Sequence, residues 1–127
     1  MSLLRWLTQN LADTDDATHR DLGPIKLAGR RGEAFLLLSY EIGRMSRWHV
    51  EATEGKTYTI RATKRRHFRR KVDDITLRIT SDKGETWLHA VSRGSGLVGD
   101  FGRNRRNLLE LFAKLRKAGI AEKEKKK

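Results

Sequence analysis

The chain has 127 residues, enough for one modest domain core and too few for two. Twenty-eight Lys and Arg against 16 Asp and Glu give a formal charge of +12, which points to an anionic partner, nucleic acid or an anionic lipid surface. The absence of cysteine excludes disulfides, thiolate metal sites and cysteine nucleophiles. No apolar run approaches the roughly 18 to 20 residues of a membrane span. The expectation is a cytoplasmic protein with no transmembrane segment, able to sit peripherally at a membrane.

Residues 1–18 read as an amphipathic helix and an acidic linker. Leu3, Leu4, Leu7 and Leu11 fall on one face of the helix over residues 2–11, with Trp6 beside them. This face predicts contact with a membrane, with the domain itself or with a second copy of the chain. Asp13, Asp15 and Asp16 then make the leader net acidic, so the positive charge belongs to the domain and the C-terminal tail.

Residues 19–119 read as a single α+β domain. Pro24, the sole proline, precedes the alternation Ile25-Lys26-Leu27, a short edge strand. Phe35, Leu36, Leu38, Ile42 and Met45 recur at helical spacing between about Gly32 and Met45. Trp48, Val50 and Ala52 alternate, as do Tyr58, Ile60 and Ala62, and then Ile75, Leu77 and Ile79. Trp87 to Ser92 makes a fourth strand whose inward face the pattern leaves open. Glu54-Gly55 and Asp82-Lys83-Gly84 are turn signals, so hairpins connect these strands. A last helix from about Arg103 to Lys117 buries Leu108, Leu111, Phe112 and Leu115, and Gly119 stops it. Residues 120–127 read as a disordered charged tail.

The order strand, helix, four strands, helix predicts one antiparallel sheet of about five strands with helices on one face. It resembles a half-repeat of the TATA-binding-protein-like fold, with an extra N-terminal helix.

Charge marks the candidate sites. Lys64, Arg65, Arg66, Arg69, Arg70 and Lys71 crowd one segment around His67 and Phe68, with Arg61 just before. Lying between two strands, the segment reads as a hairpin tip, where arginines fork onto phosphate oxygens and release counterions. Arg103, Arg105 and Arg106 fill the first turn of the last helix, where the dipole disfavours cations. A bound anion can compensate them, or Asp73, Asp74 and Asp100 can do so internally; Asp100 or Asn104 can also cap that helix.

Gly94 to Gly99 spells G-x-G-x-x-G, but no helix opens inside it and no second βαβ strand comes after it, so it reads as a connection. His19, His49, His67 and His89 lack companions at metal spacing. Asp73 and Asp74 are adjacent in a strand and point to opposite faces. No catalytic constellation emerges, no cofactor is called for, and the expectation is a protein that is not an enzyme.

Val72-Asp73-Asp74-Ile75-Thr76-Leu77-Arg78-Ile79, and Ser92-Arg93 trailed after a Gly-rich stretch by Asp100-Phe101-Gly102-Arg103-Asn104-Arg105-Arg106, carry a family pattern. With the entry segment His19 to Lys26, they resemble the domain-of-unknown-function family 1499, over about residues 19–118. The resemblance implies a fold rather than an activity. It favours an internal network of Asp73, Asp74, Arg93, Asp100 and Asn104, since the VDD-like and N-R elements both belong to the pattern. The sequence thus predicts a binding module whose basic face meets a polyanion, nucleic acid phosphates ahead of other anions. The alternative is a peripheral membrane or protein-interaction module, self-association included, that uses the N-terminal helix and anionic headgroups.

Overall fold

The computed structural model describes residues 11–13, 24–65, 72–94 and 103–122. In chain order these form β1 (Leu11–Asp13), β2 (Ile25–Leu27), α1 (Arg31–Arg44), β3 (Trp48–Glu54), β4 (Thr59–Arg65), β5 (Val72–Asp82), β6 (Glu85–Gly94) and α2 (Arg103–Lys117). Every pairing is antiparallel, in the order β1-β6-β5-β4-β3. The outer edge of β6 is shared: β2 pairs Thr86 to Leu88 and β1 pairs Val91 to Arg93. Both helices pack on one side of this sheet, so the architecture is the α+β arrangement read from the sequence. Residues 1–10 of the expected N-terminal helix, with Leu3, Leu4, Trp6 and Leu7, lie outside the described residues. Leu11, placed in that helix by its spacing, instead opens a strand opposite Arg93.

β5 and β6 are the longest strands, and the two-residue turn Lys83-Gly84 joins them, with φ of 51° and 79°. Positive φ at both positions is what a type I′ hairpin needs to match strand twist. Strict alternation then puts Ile75, Leu77, Ile79, Leu88 and Ala90 under the helices at 0–1% exposure. α2 lays Leu108, Leu111, Phe112 and Leu115 onto them, and α1 adds Ala34, Leu38 and Ile42. Each such Leu, Ile or Phe contributes roughly 1.5–3 kcal/mol by leaving water.

Three details correct the sequence reading. Ala52 does not alternate inward with Trp48: a bulge between Val50 and Ala52 adds one residue to β3, and Ala52 faces the solvent side opposite Arg61. Leu36 does not join the core face of α1; with Ala34 and Leu38 pointing in, it projects into solvent. Ile120 and Ala121, expected in the tail, are buried.

The burial of Ile120 and Ala121 comes from the way α2 ends. Gly119 adopts φ 78°, its N–H bonds to Arg116 O at 3.1 Å, and Ile120 N–H bonds to Leu115 O at 2.9 Å. That Schellman pair reverses the chain. Ala28 N–H then reaches Ile120 O at 2.8 Å and Glu122 N–H reaches Lys26 O at 3.0 Å, fastening the C-terminal segment to β2.

Candidate functional site

The sheet has two unlike faces. Thr63, Asp74 and Arg93 are paired across β4, β5 and β6, as are Arg61, Thr76 and Val91, and directly paired residues share a side. Ile60, Ala62, Ile75 and Ala90, one position away, are the buried ones. Arg61, Arg65, Arg78 and Arg93 therefore project, exposed, from the face opposite the helices. Beside them the half-buried Trp87 and His89, with Pro24, Thr80 and Asp82, line an open depression of about 310 Å³. His89 Nε2 lies 3.0 Å from Thr80 Oγ1, which fixes the ring against the sheet. Acids stand on the same face as well, among them Asp74, Asp82, Glu85 and Glu51, whose Oε1 accepts from Thr63 Oγ1 at 2.9 Å.

The predicted basic residues divide. Arg61 and Arg65 stand on the helix-free face. Arg66, Arg69, Arg70 and Lys71 fall in the connection between β4 and β5, outside the described residues. Lys64 turns to the helix side, where its Nζ is 2.8 Å from Glu110 Oε1 on α2. The same oxygen accepts from Trp48 Nε1 at 2.7 Å, and the Lys64 ammonium sits 5.8 Å from the Trp48 ring centroid. Lys64 is thus committed within the fold. Partial burial alone pushes the Glu110 carboxyl up, but the Lys64 and Trp48 hydrogen bonds and the Lys64 and Lys114 charges outweigh it and hold the group below the usual range. Arg103 opens α2, and Arg105 and Arg106 are exposed in its first turn.

Beneath that turn lies a buried polar cluster. Asn107 Nδ2 donates to Asp73 Oδ2 at 2.9 Å and to Ser92 Oγ at 3.3 Å, while Ser92 Oγ donates to Asn104 Oδ1 at 2.6 Å. All four residues are at most 1% exposed. Of the expected network the structure brings together Asp73 and Asn104. Asn104, a candidate cap in the sequence, stands inside α2 rather than before it, and its Oδ1 accepts the Ser92 hydroxyl. Asp74 and Arg93 are opposite each other on the far side of the sheet, because odd and even strand positions face opposite ways. Asp100 lies outside the described residues. Ser92 and Asn107 join the cluster; Asn107 is legible in the sequence as a polar residue on the apolar stripe of α2, next to Leu108.

Lys26 crosses from the helix-free face to the segment that follows α2. Its Nζ is 3.1 Å from Glu85 and 3.5 Å from Glu122. The Glu85 hydrogen bond, opposed by some desolvation and helped by Glu122, raises the Lys26 pKa. No helix among the described residues is long and apolar enough to cross a membrane.

Comparison with known proteins finds a match over residues 7–115 to a family described as protein of unknown function (DUF1499). No curated protein matches the chain.

Proposed function

The chain belongs to the DUF1499 family, and from that premise we propose, on this chain's own geometry, that it is a non-catalytic module holding a polyanion against its helix-free face. Nucleic acid is the favoured ligand. The observation that carries the reading is the placement of Arg61, Arg65 and Arg93, exposed, on the one sheet face that no helix covers among the described residues. Arg65 leads directly into the segment holding Arg66, Arg69, Arg70 and Lys71, so strand and connection form one basic tract. Guanidinium groups fork onto phosphate oxygens, and contacts of this kind position a strand without reading its sequence. Trp87 and His89 offer rings on the same face for a base to stack on.

The non-catalytic part of the reading rests on the Asp73 cluster. Asn107 Nδ2 is directed at Asp73 and Ser92, and Ser92 Oγ at Asn104, under α2, with all four residues at most 1% exposed. Such a cluster fixes the seat of the helix rather than serving a reaction.

The ultraviolet spectrum of the full chain, purified at low salt and again after a high-salt wash, tests the proposal. Excess absorbance at 260 nm that disappears with salt is expected. A protein-like spectrum at low salt would contradict avid capture of nucleic acid.

A further inference from the structure

The opposite surface of the molecule carries a different chemistry. α1 exposes Leu36 at 69%, Leu37 at 45% and Tyr40 at 64%. Ala34, Leu38 and Ile42 occupy the buried side of the same helix, so these three side chains point away from the sheet. Three large apolar groups within five residues of one helix form a patch that water disfavours. Arg44 stands 5.5 Å from the Tyr40 ring centroid and 3.9 Å from Glu41, at the C-terminal end of the patch. The neighbouring α2 buries its own apolar stripe on the same side of the sheet and shows Arg106, Lys114 and Lys117 to solvent. Its one acid, Glu110, is already paired with Lys64.

We infer that this helix layer docks on an anionic lipid bilayer, Leu36, Leu37 and Tyr40 entering the interface and the cations of α2 meeting the headgroups. Aliphatic insertion and basic attraction are the two signals that together give stable peripheral binding. Tyrosine suits the interfacial depth, with an apolar ring and a polar tip. Charge selects the bilayer over a second copy of the chain: a twofold pairing centred on α1 would set two copies of the same basic layer against each other. Side-chain chemistry selects it over nucleic acid, since Leu36 and Leu37, two of the three side chains of the patch, offer phosphates and bases neither a donor nor a ring, and Tyr40 alone offers both. The inference is independent of the sheet face, which would remain turned to solvent.

The test is co-sedimentation of the full chain with phosphatidylcholine vesicles, with and without phosphatidylglycerol. The wild type should sediment with the phosphatidylglycerol vesicles and largely stay in solution with phosphatidylcholine alone. Replacing Leu36, Leu37 and Tyr40 together by Ser should weaken sedimentation by at least about tenfold, with the melting temperature nearly unchanged because all three are exposed. Leu36→Trp, which enlarges the inserting surface, should strengthen it. Four results would overturn the inference. The serine variant could bind as the wild type does. The wild type could sediment with neither vesicle. Binding could vanish in Trp6→Ser/Leu7→Ser yet survive in the serine variant of α1, which would give the contact to the N-terminal segment. A wild-type dimer in sedimentation velocity that the α1 substitutions dissolve would give this face to a second copy and overturn it as well.

Discussion

Asn107 on α2 donates to the carboxylate of Asp73 on β5 at 2.9 Å, with both residues at 1% exposure. This bond fixes the depth and rotation at which the helix meets the sheet. Asn107→Ala removes a donor from a buried carboxylate and should cost about 2–3 kcal/mol. Asn107→Asp should cost more, because it sets a second carboxylate beside the first. Urea denaturation checks both: the midpoint should fall while the slope stays constant.

Much of this cluster is already visible in the sequence. Asp73 precedes Ile75, Leu77 and Ile79 in strict alternation, so its inward direction is set by theirs, and Asp74 must then face away. Ser92 continues the inward series of Leu88 and Ala90 once the register of β6 is known. That register is not legible in the residues alone, because Trp87, His89 and Val91 are apolar enough to be the core face. Pairing with β5 decides it. The bulge that turns Ala52 outward depends likewise on β4 and leaves no local signal. α1 departs from its expected face for a different reason. Leu36-Leu37-Leu38 offers three equivalent leucines, and the small Ala34 marks which face approaches the sheet. Lys64 reads as one more cation in a basic run, and only its inward parity, shared with Ile60 and Ala62, gives it to Glu110.

The Lys64–Glu110–Trp48 contact makes stability depend on acid pH. The Glu110 pKa is lowered in the folded chain from its ordinary 4.5. Its contribution is therefore complete above that value and is lost as pH falls through the lower folded-state value. Melting temperatures of the wild type and Glu110→Gln should differ most near neutral pH and converge in acid. Equal differences at every pH would assign the effect to packing.

Gly29 and Gly43 should respond in opposite directions to alanine. Gly29 has φ 79°, an added Cβ would meet Glu33 Oε1 at 2.8 Å, and its carbonyl accepts from Thr86 Oγ1 at 2.8 Å. Gly29→Ala should destabilise by about 1–2 kcal/mol through the left-handed backbone. Gly43 lies in α1 with open space around its Cβ position, so Gly43→Ala should stabilise by about 0.5–1 kcal/mol. Thermal unfolding of the two variants gives the comparison.

The salt dependence of binding to a fluorescein-labelled single-stranded oligonucleotide, measured by anisotropy, tests the polyanion reading most directly. Arg61, Arg65 and Arg93 replaced together by Ala should leave the fold intact, since all three are exposed. Each phosphate contact on a single strand contributes about 0.7 to the slope of log K against log salt, so the slope should flatten by about two. An unchanged slope and affinity in the triple variant, or a wild type that does not bind the oligonucleotide at low salt, would contradict the account.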